Sequence, residues 1–277
     1  MFIRILAPAI LMLSLAAGPV AAGGDQIERL AAALQVREMF SVMSEEGQAY
    51  GAEIEADMFP GSGGVSWRTA VAGIYDVDRI VPLFLAAFEA ELTRSEADVP
   101  AILAFFTGPL GQKATTLEIS GRRALLDQAV EDASRLKYEE LSAAGDPQVA
   151  LVDEFVEVNG LVDTNVTGAM NANYAFYLGL ADAGMLRDGL TEDQILTEIW
   201  TQEDSIRAET DVWIRSYLAM AYAPLSEAEL RDYIAFSQSR AGRDLNMALF
   251  AGFDAVFVDV SRQLGRAAGA VMAGQEL

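Results

Sequence analysis

Val99, Ile102, Leu103 and Phe106 fall at i, i+3, i+4 and i+7, and Leu117, Gly121, Ala124 and Leu125 at i, i+4, i+7 and i+8. This 3.6-residue spacing recurs along almost the whole chain, while strict alternation over four or more residues is hard to find. A chain patterned this way buries one stripe per helix and has no faces from which to build a sheet. Ala, Leu, Glu and Met, all good helix formers, dominate the composition. The spacing predicts an all-α fold, a bundle of about ten helices.

Residues 1–22 stand apart. Arg4 precedes an apolar run from Ile5 to Ala17, and Val20-Ala21-Ala22 places small residues where a signal peptidase cuts. The run is short for a membrane span. Residues 1–22 therefore read as a Sec-type signal peptide cleaved near Ala22-Gly23, which makes the mature chain periplasmic or secreted. No later segment is long and apolar enough to span a bilayer, so the mature chain is not expected to be membrane-spanning.

Composition removes whole classes of function. With 41 acidic against 19 basic residues, the net charge is −22, and nucleic acid would repel the chain. Cys and His are both absent. Their absence excludes disulfide staples, standard zinc sites, Cys-ligated clusters and Ser-His-Asp or Cys-His catalysis. No cofactor is implied and no metal site is expected. Oxygen-ligand calcium binding stays open, but Asp76-Val-Asp78 and Glu53-Ile-Glu55-Ala-Asp57 lack the glycine turn and distal Glu of a calcium loop.

Sliding the chain by 131 residues aligns 95–124 with 226–255 without a gap. Eight of the 30 pairs are identical, among them Ser95/Ser226, Phe105/Phe236, Gly111/Gly242 and Gly121/Gly252. The reading is duplication: residues 23–145 form an N-terminal helical half around repeat core 95–124, and residues 146–277 a C-terminal half around repeat core 226–255. Each core predicts a helix, a one-residue break at Gly108 or Ser239, and a longer helix. Ser95 and Ser226 are expected to open capping boxes, as is Thr191, and Asp76 to start a helix that Pro82 kinks or breaks. Gly121 and Gly252 sit mid-helix, which predicts close helix crossings, with the weaker effect of substitution at Gly252.

The phrase AFFTGPLGQK, with Phe105, Phe106, Thr107, Pro109, Gly111, Gln112 and Lys113, resembles the hallmark of a secreted bacterial domain family of unknown function, close to F-Y-x-S-P-x-G-Q-K. The second copy departs from it at Ser237, Arg240 and Arg243-Asp244. The resemblance implies an all-α exported fold with no assigned activity, and it transfers no catalytic residues.

Candidate chemistry is sparse, and no catalytic motif is recognisable. Glu118 invites comparison with helical peptidoglycan-cleaving enzymes, but the Glu-Ser pair and further motifs of those enzymes are missing; it reads as part of a solvated helix face, as does Arg122-Arg123. Asn171, Tyr174 and Tyr177 share one face of a helix and are the candidate ligand-binding residues, with core packing as the competing account. Trp67, Trp200 and Trp213 read as core. The functional expectation is a non-catalytic periplasmic interaction module. The alternative is a carrier of an apolar or amphipathic ligand in a cavity between the halves, and the third reading is an acid-dependent hydrolase.

Overall fold

A computed structural model describes residues 20–185 and 191–274. It is helical throughout, with no strand among the described residues. Thirteen helices follow in order: α1 (Val20–Ala33), α2 (Val36–Met58), α3 (Gly64–Ile74), α4 (Val77–Arg94), α5 (Val99–Thr107), α6 (Pro109–Ala124), α7 (Gln128–Ala143), α8 (Pro147–Val158), α9 (Leu161–Asp182), α10 (Glu192–Thr201), α11 (Glu203–Tyr222), α12 (Glu227–Gln238) and α13 (Arg240–Met272). The count exceeds the expected ten, and breaks as short as one or two residues, such as Gly108 and Tyr75-Asp76, separate consecutive helices. No described helix is long and apolar enough to cross a membrane.

Local chemistry sets most boundaries. Asp76 accepts from Arg79 N to start α4, and Thr191 and Ser226 form reciprocal capping boxes with Gln194 and Glu229. One expectation fails, and of the kink or break expected at Pro82 the break is absent: α4 runs through that residue. Ser95 does not open α5: it is the C-cap of α4, its hydroxyl turned back to Glu91 O, while Asp98 caps α5 by accepting from Ala101 N. Pro100 is the cause. A helix begun at Glu96 would need an N–H at position 100, so α5 must start at Val99, where the proline lies in the first turn. Glu96 absorbs the reversal with φ +51°, while Ala97 N donates to Leu92 O and Glu96 N to Thr93 O.

Both breaks in the repeated segments have one backbone form. Gly108 (φ −75°, ψ 163°) separates α5 from α6, and Ser239 (φ −68°, ψ 164°) separates α12 from α13. After each break the chain folds back so tightly that an added Cβ would meet the preceding helix: at Gly111, 2.4 Å from Phe105 O, and at Gly242, 2.1 Å from Phe236 O. The rings of Phe105 and Phe236 stack on each other at 3.9 Å between centroids. Gln112 Nε2 reaches Ala33 O at the end of α1, and Lys113 Nζ pairs with Glu229 at 2.7 Å. Every polar residue of the G-P-L-G-Q-K phrase is thus occupied in joining helices.

The 33-residue α13 is the spine, packing on α9, α4, α3, α2, α5 and α12. Against α9 it lies backbone to backbone, since a Cβ on Gly265 would come within 2.1 Å of Phe176 O. Against α4 it joins Phe253 to an aromatic cluster of Phe40, Phe84 and Phe88. One continuous core runs from Ile27 in α1 to Ala268 in α13.

Candidate functional site

α2 carries a small-residue face, Gly47 and Gly51, on which the Tyr75 ring and Val71 lie directly. That contact seats Tyr75 beside α2 and leaves a cavity between α2, the α3–α4 turn and α13. Its volume is about 130 Å³, lined by Phe40, Met43, Gly47, Ile80, Val256, Phe257 and Val260, with Tyr50, Tyr75 and Glu46 completing the wall. Tyr50 is 49% exposed and stands at the edge. Burial pushes both phenols above their ordinary pKa, with nearby Glu53 adding to it at Tyr50, and Tyr50 and Glu46 at Tyr75. Both are therefore neutral hydroxyls at any physiological pH.

Glu46 leads inward from the cavity. It holds Arg122 of α6 through two bonds, Nε at 2.8 Å and Nη2 at 2.7 Å. Burial pulls the Arg122 pKa down, but this paired carboxylate outweighs it and holds the guanidinium above its ordinary value. The guanidinium also lies 5.8 Å from the Trp213 ring, which stacks on Tyr217. One turn earlier on α6, Glu118 accepts from Tyr222 OH at 2.7 Å and from Tyr233 OH at 3.1 Å, both on Oε1. Tyr217 OH donates to the Glu118 backbone carbonyl at 2.8 Å. Burial raises the Glu118 pKa, and the two phenols, which favour the ionised form, offset only part of that. The solvated-face expectation for Glu118 and Arg122 is corrected: both join α6 to other helices. Periodicity placed them opposite the Leu117 stripe, but α6 is covered on more than one side, by α2, α11 and α12.

The residues singled out from sequence lie elsewhere. Asn171 is exposed and donates to Asp254 Oδ1 at 2.9 Å, tying α9 to α13. Tyr174 bonds Glu192, and Tyr177 packs against the core. None of the three lines the cavity. Trp67 is fully buried, its Nε1 donating to Gly51 O, whereas Trp200 is 61% exposed, against expectation. Among the described residues no group of three or more acidic side chains is placed to hold a metal ion. The cavity residues come from three separated segments; only the paired glycines of α2 signal in sequence that something sits close against that helix.

No protein-family model, curated protein or solved structure matches the chain.

Proposed function

We propose that this protein is an exported, non-catalytic binder of a small amphipathic molecule. The observation that carries the reading is the apolar cavity bounded by α2, α4 and α13, whose wall also includes Tyr50, Tyr75 and the Arg122-paired Glu46. A pocket walled almost wholly by apolar surface suits a small apolar ligand or the apolar body of an amphipathic one. At about 130 Å³ it is close to the ~150 Å³ cavities that admit benzene, which fits a single ring or a short chain and is too small for a long-chain lipid. Glu118, the one carboxyl among the described residues with a raised pKa, is held by two phenols and is not part of the cavity wall, so the geometry does not favour hydrolysis.

Export accords with the fold. The first buried side chain described in α1 is Ile27, so cleavage at Ala22-Gly23 would leave the core intact. N-terminal sequencing of periplasmic protein should give Gly23 or a residue within two of it. The resemblance of the Phe105–Lys113 phrase to a secreted all-helical family points the same way.

Titration with phenol and with hexanol, followed by NMR, tests the site. Saturable shifts at Tyr50, Tyr75 and Val260 are expected, and Val260→Phe, which fills the cavity, should abolish them while leaving the circular dichroism unchanged. Shifts that persist in Val260→Phe, or none at millimolar probe, would refute the site. Mass spectrometry of natively purified protein would then identify a retained ligand.

A further inference from the structure

Packing in this chain repeats with element order. α7 stands between two runs of six helices, and the partnerships of one run recur in the other: α1 with α5 as α8 with α12, and α2 with α3 and α4 as α9 with α10 and α11. The long helices are exchanged, α6 packing on α11 through Gly121 and α13 on α4 through Gly252. Not every partnership has a counterpart. α13 packs on α3, but the described elements packed substantially on α10, the third helix of the second run, are α9 and α11.

Helix length explains the gap. α6 ends at Ala124, while α13 continues past the matching Ala255 from Val256 to Met272. Asp127, accepting from Ala129 N, starts α7 instead, and α7 packs on α11 and α8. The side chains record the result. Trp67 of α3 is 0% exposed, whereas Trp200 of α10 is 61% exposed and Leu196, one turn before it, 37%. Ile195 and Ile199 already bury the inner face of α10, so this helix presents apolar side chains on a second, outer face. Glu192 and Asp193, within one turn of Leu196, are exposed, as are Glu198 of the same helix and Asp204 at the start of α11.

We propose that the outer face of α10 is a docking site for an amphipathic helix of a partner protein, basic at its flanks, seated on α10 as α13 is seated on α3. Exposed Trp beside Leu is the side-chain pair that anchors a helix in a groove. These exposed acidic residues and the net charge of −22 select a cationic partner and oppose a second copy of this chain. The site is independent of the ligand cavity and stands or falls without it.

The probe is a fluorescein-labelled 18-residue amphipathic Leu/Lys helix, with an isohelical Leu/Glu peptide as control, in fluorescence polarisation at 150 mM salt. Binding of the Leu/Lys peptide should weaken at least tenfold in Trp200→Ala and in Leu196→Ala. It should be unchanged in Leu136→Ala, which removes another exposed leucine. Equal binding by wild type and Trp200→Ala would overturn the proposal by reducing it to charge attraction, as would equal binding of the Leu/Glu peptide. Sedimentation of the wild type as a dimer that Trp200→Ala dissolves would also overturn it, assigning the face to self-association. All three variants are at the surface, and unaltered melting would show them folded.

Discussion

The helix pairs α5–α6 and α12–α13 share a hinge and differ in almost everything attached to it. Both turn through a residue near φ −70°, ψ 163°, and both place a glycine three residues on, against the preceding helix. Yet Glu118 in the first pair aligns with Leu249 in the second, Ile102 with Tyr233, and Lys113 with Asp244. Lys113 finds Glu229 across the pair, while Asp244 is buried with Oδ2 unbonded and Arg240 Nε 3.5 Å away. Backbone geometry that needs a missing Cβ has one solution, whereas the surfaces around it admit many. The hinge is kept and the polar network is on one side only.

Four experiments would sharpen or break that contrast. The hinge glycines should give the largest effect, because a Cβ there strikes backbone that cannot rotate away. Gly111→Ala and Gly242→Ala should each cost ~3 kcal/mol in denaturant unfolding, and tolerance at either would mean that the two hinges are not equivalent.

The mid-helix glycines come next, with the order reversed from the sequence expectation. An added Cβ at Gly252 lies 2.6 Å from the Phe84 ring, which is locked among Phe40, Phe88 and Phe253. At Gly121 it lies 3.0 Å from Ala221 Cβ. Gly252→Ala should lose ~2 kcal/mol, while Gly121→Ala should fall near zero as helix propensity offsets the contact. A larger loss at Gly121 would contradict this ranking.

Glu118 tests the one-sided network through pH. A carboxyl whose folded pKa is raised costs stability as pH climbs from the ordinary carboxylate range through the folded value. Glu118→Gln keeps an acceptor for Tyr222 and Tyr233 but cannot ionise. Its melting temperature should exceed the wild type by a few degrees at pH 8, and the gap should close on acidification. A gap independent of pH would show that Glu118 does not ionise in this range.

The smallest effect belongs to Lys113. Hydrogen bonding to Lys113, aided by the Ser226 amide and hydroxyl, lowers Glu229 to about 2. Its contribution is therefore present above the ordinary carboxylate range and lost as pH falls toward 2. Lys113→Ala should move the Glu229 titration upward by NMR while barely changing the melting temperature, because both partners are over a third exposed. An unmoved titration would assign the lowering to the Ser226 cap.

Local chemistry was legible in the chain and tertiary chemistry was not. Asp76, Thr191 and Ser226 cap helices by bonding groups three residues away, and Gly108 with Pro109 marks a break through its own dihedrals. Ser95 misled because Pro100, five residues on, controls where α5 can start. Glu118 and Arg122 sit on a face that looks polar in isolation and meets phenols 99–115 residues and a carboxylate 76 residues away in sequence. Exposure at Trp200 depends on where another helix stops, which periodicity around Trp200 does not encode.

α13 is also the last of the described helices in chain order. Spanning about 50 Å, it supplies the surface that α2, α3, α4, α5 and α9 close upon. Until residues 253–266 exist, Phe84 and Phe40 lack Phe253, and Gly179 of α9 lacks the close backbone of Arg262 and Arg266. The earlier helices can form, but their burial waits on contacts such as Asn171 to Asp254, 83 residues apart, and Phe40 to Phe253, 213 residues apart, which slows folding. Burial of the earlier helices is thus deferred until α13 has been made.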